Sequence, residues 1–262
     1  MIASITLNDG TAIPQLGFGT LNVPPDRTPS PENTATTAEV VGLALQAGYR
    51  LIDTAQMYGN ERGVGHGIAA SGLPRQELYV TSKLGNGNHC PSDVRRSFDQ
   101  TLDKLGLDYL DLFLMHWPLP TRYDGDYTST WEAMTELLAG GRLRSAGVSN
   151  FQPAHLDRIV DQTGAVPAVN QIEVHPASTT TPPGRHQPAT ASRWRPGARS
   201  ARARCSATRP SSRSPPGMAH PPPRSSCAGT SSTATLSWSR ACTATAWQPI
   251  STSPVSNWPK LT

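Results

Sequence analysis

Four residues carry most of the chemistry in this sequence: Asp53, Tyr58, Lys83 and His116. Each lies at or just past the end of a short apolar run. A carboxylate, a phenol, an ammonium and an imidazole brought to one place can hand a proton to a carbonyl oxygen. A phenol, with a reference pKa of about 10, is a poor acid near neutrality, and a neighbouring ammonium lowers that value by favouring the phenolate. Lys83 is suited to be that ammonium, Asp53 to hold it charged and in place, and His116 to orient the carbonyl. No side chain donates a hydride, so the set implies a nicotinamide cofactor. Taken singly, each residue has a plainer role. An Asp at a strand end caps a loop, a Lys or Tyr is solvated or packs, and a His before Trp117-Pro118 is as readily structural. Placement of all four at the ends of strands of one barrel is what favours a shared site.

The elements that must position them follow from periodicity. An Asn8-Asp9-Gly10 turn between two short apolar runs predicts a hairpin over residues 4–14. Strands are predicted at 16–20, 51–53, 78–83, 110–116, 145–148 and 168–174, and helices at 34–46, 60–70, 92–105, 129–138 and 153–161. In the third helix Val94, Phe98, Leu102 and Leu105 fall on one side, and Gly106 marks its end. The strands are apolar on both faces, as in Leu110, Leu112, Phe113 and Leu114, which argues for a parallel sheet covered by helices. The first strand is not followed by GxGxxG, and Gly85-Asn86-Gly87-Asn88 is only a Gly/Asn-rich loop, so a Rossmann domain is not supported. The fold class expected is α/β, a (β/α)8 TIM barrel of which the first six units are readable. Such barrels carry their active groups at the C-terminal ends of the strands, where Asp53, Lys83, His116, Ser149, Asn150 and Gln171 fall.

Longer motifs add a family resemblance. Residues 48–55, Gly-Tyr-Arg-Leu-Ile-Asp-Thr-Ala, followed by Tyr58, Asn60, Glu61 and Gly65, resemble the first signature of the aldo-keto reductases. Residues 114–118 (Leu-Met-His-Trp-Pro), 147–151 (Gly-Val-Ser-Asn-Phe, after Arg142 and Arg144) and 170–176 (Asn-Gln-Ile-Glu-Val-His-Pro) resemble three further segments of that family. Ala146 departs from it, standing where a larger aliphatic residue is usual. The resemblance implies Tyr58 as proton donor, tuned by Lys83 and Asp53, with His116 orienting the substrate. It implies Ser149, Asn150 and Gln171 around a nicotinamide carboxamide, Gly19 and Thr20 near the cofactor, and Trp117 lining the substrate pocket. Arg50 and Glu61 are expected to be structural. The implied reaction is reduction of an aldehyde or ketone by NADPH. The alternatives are a non-catalytic regulatory barrel, which intact Tyr58, Lys83 and His116 disfavour, and an inactive product.

The last third of the chain suggests the inactive product. Residues 1–176 hold all 19 acidic residues and 12 of the 23 basic ones, whereas residues 177–262 hold 11 basic residues and no acid. This segment is dominated by Ser, Thr, Pro, Ala and Arg, a composition that cannot bury enough apolar area to offset the entropy of ordering, so disorder is expected. A basic arm for nucleic acid is one account, but the segment lacks interleaved aromatics and regular Arg-Ser or Arg-Gly repeats. An unrelated linker is another. The account preferred is out-of-frame translation of barrel units seven and eight in a GC-rich gene. If each intended codon is the third base of one displayed codon plus the first two of the next, residues 194–200 can encode Glu-Ala-Trp-Gly-Pro-Leu, a string like the family's seventh unit. The domain division expected is therefore 1–176 and 177–262, with weak or no activity and little NADPH affinity for this chain.

The remaining expectations are negative ones. Cys90, Cys205, Cys227 and Cys242 form no CxxC pair and no zinc-like spacing, which argues against a metal centre or a disulfide framework. The start of the chain has no basic and then apolar leader, and no apolar stretch approaches the roughly 20 residues that span a bilayer. A cytoplasmic monomer is expected, acting on small carbonyl compounds without nucleic-acid or membrane partners.

Overall fold

A computed structural model describes residues 3–173 and, for the backbone only, 245–249. These residues belong to one of two units of the chain, residues 1–182 with 241–262. The expected domain boundary at 176/177 and the expected disorder beyond it lie outside the described residues, apart from 245–249.

Strands β1 (Ser4–Thr6) and β2 (Ala12–Pro14) form the hairpin expected around Asn8-Asp9-Gly10, with Gly10 at φ +84°. Six parallel strands follow: β3 (Gly17–Gly19), β4 (Leu51–Asp53), β5 (Tyr79–Leu84), β6 (Leu110–Met115), β7 (Leu143–Ser149) and β8 (Val169–Glu173). They lie side by side in chain order in a curled sheet. Helices α1 (Pro31–Gln46), α2 (Glu61–Ala70), α3 (Pro91–Leu105), α4 (Thr128–Glu136) and α5 (Pro153–Thr163) make the five crossovers. This is the order of the first six units of a (β/α)8 barrel.

The helix boundaries have local causes. Helix α1 starts three residues before the position periodicity gives, because the Ser30 hydroxyl accepts from Asn33 N–H at 3.0 Å and Pro31 sits at the first helical position. Helix α3 likewise starts at a proline and ends at Gly106, which takes φ +64°. Helix α2 is thin where it meets α3: a Cβ on Gly65 would lie 2.2 Å from the Leu105 carbonyl oxygen. Arg50 and Glu61 serve the frame. Arg50 donates to the Leu45 and Tyr49 carbonyls, and Glu61 accepts from the Ser82 and Thr101 hydroxyls.

Strand alternation divides the core in two. Ile52, Val80, Phe113 and Met115 face the helices, while Leu51, Tyr79, Leu112, Leu114 and Val169 face inward and are closed off by Leu7 and Ile13 of the hairpin. The inward series continues along each strand, from Leu51 to Asp53, from Tyr79 to Lys83 and from Leu114 to His116. A period of two therefore delivers three of the four chemical residues to one side of the sheet, at one end.

One feature departs from expectation. A ninth strand, β9 (Thr245–Pro249), pairs antiparallel with β8, although its composition carries no strand signal. The free edge of β8 offers a row of backbone donors and acceptors, which an extended segment can satisfy whatever its side chains. Among the described residues no helix is long and apolar enough to cross a membrane.

Candidate active site

The C-terminal ends of the parallel strands open onto a cavity of about 520 Å³. Asp53 ends β4 and Lys83 is the fifth residue of β5. His116 directly follows β6. Tyr58 comes from a single 3-10 turn, Gln56–Tyr58, closed by Gly59 in the left-handed region at φ +73°. The turn brings the phenol back over the strand ends.

Lys83 is 1% exposed, and its ammonium lies 2.7 and 2.9 Å from the two Asp53 carboxylate oxygens and donates to the Thr54 carbonyl at 3.0 Å. It also reaches the Tyr58 hydroxyl at 3.2 Å. Burial alone would depress the Lys83 pKa, but the Asp53 carboxylate and the Tyr58 phenol outweigh it and hold the value above that of an ordinary lysine. For Tyr58 the balance runs the other way. Burial raises the phenol pKa more than Lys83 lowers it, so the net shift is upward. The influence of Lys83 has the expected sign, yet desolvation of the phenolate is larger, and the phenol keeps its proton. The His116 ring meets that of Tyr58 edge-on, with centroids 5.8 Å apart. Burial first, and then the charges of Lys83 and His89, push its pKa down to about 3, so the imidazole is neutral.

The residues expected around a carboxamide are also together. Ser149 pairs in register with Gln171 across β7 and β8. The Ser149 hydroxyl donates to the Gln171 carbonyl at 2.9 Å, and the Asn150 amide donates to that hydroxyl and to the His116 carbonyl, both at 3.0 Å. The Gln171 amide nitrogen is buried without a hydrogen-bond partner among the described residues. A buried donor without an acceptor is costly unless something fills the gap, and an amide oxygen of a ligand fits it. Gly19 and Trp117 line the cavity. Thr20 is fully buried and turned away, both its amide and its hydroxyl bonding the Asp53 carbonyl.

Sequence reasoning missed other wall residues: Leu21, Asn22, Arg27 and Met57. Three of them belong to the segment between β3 and α1, which carries no periodic signal. Asn60 was visible as part of a motif. Its amide donates to the Thr20 and Val23 carbonyls at 2.7 and 2.8 Å, tying this segment to the turn that bears Tyr58.

Comparison with known proteins shows the family. Residues 15–189 match the Aldo/keto reductase family. The chain is 46% identical over 176 residues to an aldo-keto reductase of Mycolicibacterium smegmatis, covering 67% of this chain and 60% of that protein. It is 43% identical to a D/L-glyceraldehyde reductase of Hypocrea jecorina, covering 68% of this chain and 58% of that protein. A Bombyx mori aldo-keto reductase solved in complex with NADP superposes with a TM-score of 0.62 at 40% identity, covering 69% of this chain and 61% of that one. The chain thus spans about three-fifths of the length of the relatives it matches. With the motifs, the strand order and the match over most of its length in agreement, the chain belongs to the aldo/keto reductase family.

Proposed function

We propose that the site reduces aldehydes or ketones to alcohols with NADPH, with Tyr58 as the proton donor. The observation that carries this is the Asp53–Lys83–Tyr58 chain of contacts at the floor of an open cavity. The chemistry a nicotinamide cofactor supplies there is a hydride. Tyr58 holds its proton and releases it as negative charge develops on the carbonyl oxygen, and the adjacent ammonium stabilises the phenolate left behind. Neutral His116 hydrogen-bonds the same oxygen and fixes its direction. Gln171, with its unpartnered amide, and Ser149 and Asn150 beside it suit a carboxamide, and Gly19 leaves space along the cavity. The NADP complex of the Bombyx mori relative and the glyceraldehyde reductase among the curated relatives support the cofactor and the substrate class. Small carbonyl compounds, and not macromolecules, suit a cavity of this size.

We also propose that residues after 176 are an out-of-frame rendering of the last two barrel units, which leaves this chain a weak binder of NADPH. The nucleotide sequence between the codons for Val174 and Thr190 tests that directly. For the reaction, NADPH oxidation with glyceraldehyde is measured for this chain and for a frame-restored version, each with and without Tyr58→Phe. The restored version is expected to turn over faster than this chain, and Tyr58→Phe to lower the rate by about 10²–10⁴. Undiminished reduction by the Tyr58→Phe variant would refute the assignment.

A further inference from the structure

The side of the cavity next to Tyr58 carries a cation that proton donation does not need. Arg27 lines the cavity from the segment between β3 and α1. That segment is held in place. Asn60 bonds its start at Thr20 and Val23, the Asn33 amide bonds the Thr28 carbonyl at 2.8 Å, and the Arg27 carbonyl lies so close to Gly59 that a Cβ there would stand 2.9 Å from it. The guanidinium is exposed and makes a 2.9 Å hydrogen bond to the neutral Asn22 side chain. Among the described residues no carboxylate lies within ion-pair distance of it. The adjacent Asp26 carboxylate instead accepts from the Thr28 amide at 2.8 Å. The Arg27 charge is near enough to favour the Tyr58 phenolate.

The other charges around the cavity are sorted. Asp53 is bridged by Lys83, and Glu173 stands on β8, the far end of the parallel run from the strand that leads into Arg27. Exposed apolar residues line the same cavity: Leu21, Met57 and Trp117 are 37%, 49% and 45% exposed. A ligand whose carbonyl reaches Tyr58 can therefore meet apolar surface and a guanidinium that, among the described residues, has no carboxylate partner. Arginine suits this role because its planar fork bonds carboxylates in pairs.

We propose that Arg27 recognises an anionic group on the substrate, so that the preferred class is a carbonyl compound with an apolar body and a carboxylate at its other end. This rests on the carbonyl-reductase function proposed above and names its substrate class. The test measures binding and not turnover. The full chain is titrated calorimetrically with 4-formylbenzoate and with its neutral isostere 4-formylbenzamide. The anion is expected to bind about tenfold more tightly, as one charge-assisted hydrogen-bonded pair at a half-exposed site would give, and the preference should shrink at high salt. Arg27→Gln should abolish the preference, and Arg27→Lys should keep part of it.

Equal binding of the two aldehydes by the parent chain overturns the proposal, as does an unchanged preference in the Arg27→Gln variant. A parallel NADPH titration separates the other source of anionic chemistry. If Arg27→Gln weakens NADPH binding and leaves the aldehyde preference intact, the guanidinium serves the cofactor phosphates and the proposal fails. Tyr58→Phe should leave the preference in place, so loss of the reductase assignment and loss of the Arg27 assignment are separately visible.

Discussion

Replacing Lys83 by Met tests the electrostatic centre of the site. Met fills similar space and adapts to irregular gaps, so little packing is lost. What is lost is a cation in contact with both Asp53 oxygens, at 2.7 and 2.9 Å, and with the Thr54 carbonyl at 3.0 Å. Asp53 is 6% exposed, so its carboxylate is left buried without a counter-charge. Removing one partner of a buried ion pair costs about 3–5 kcal/mol, a large part of the roughly 5–15 kcal/mol that stabilises a domain. Adding Asp53→Asn removes the stranded charge and should restore most of the loss. Urea unfolding of the four chains of this double-mutant cycle, followed by circular dichroism, gives the coupling directly. A Lys83→Met cost below about 1 kcal/mol, or strictly additive effects of the two changes, would show that the pair is not the buried, coupled unit described here.

Further outcomes follow from backbone and titration. Gly65→Ala places a Cβ 2.2 Å from the Leu105 carbonyl oxygen, so α2 must move off α3, at a cost on the order of 3 kcal/mol. Gly42→Ala, with nothing within 4 Å of the new Cβ in the middle of α1, should stabilise by about 0.5–1 kcal/mol. Thermal melts should therefore move in opposite directions for these two variants. The His89 ring, 1% exposed and stacked on Tyr123, has its pKa pushed down to about 4 by burial, and that of His116 lies at about 3. Both folded-state values lie below the unfolded one of about 6.5, so the unfolded chain binds protons that the folded chain refuses. Their stabilisation is complete above about pH 6.5 and is lost as the pH falls toward those folded values. Each histidine steepens the decline by about 1.4 kcal/mol per pH unit. Urea titrations at about pH 6 and pH 5 should show that His89→Phe, which keeps the ring stack, removes one such increment. An unchanged slope would mean that His89 is not buried in the neutral form.

Much of the barrel could be read from the chain because its signals are local. Alternation in 110–116 places Leu112, Leu114 and His116 on one face whatever the strand pairs with, and Gly106 ends α3 by backbone geometry alone. Asp53, Lys83 and His116 were legible for the same reason, since strand ends in a parallel barrel all open at one end, whereas Tyr58 is carried by the 3-10 turn Gln56–Tyr58. Arg27 was not legible. It sits in a Pro-rich segment without periodicity, and only the bonds from Asn60 and the close approach to Gly59 bring it beside Tyr58. The strand β9 was hidden too, because its backbone pairs with the open edge of β8.

The electrostatics divide along the same line. Residue types determined that a phenol, an ammonium and a carboxylate were available, and that the ammonium favours the phenolate. Whether the phenol pKa ends above or below its usual value depends on how far burial strips water from Tyr58 compared with the nearness of Lys83, and the first effect wins. Desolvation is a property of everything packed around a group, and much of the Tyr58 environment comes from residues distant in the chain, so only the tertiary structure decides it.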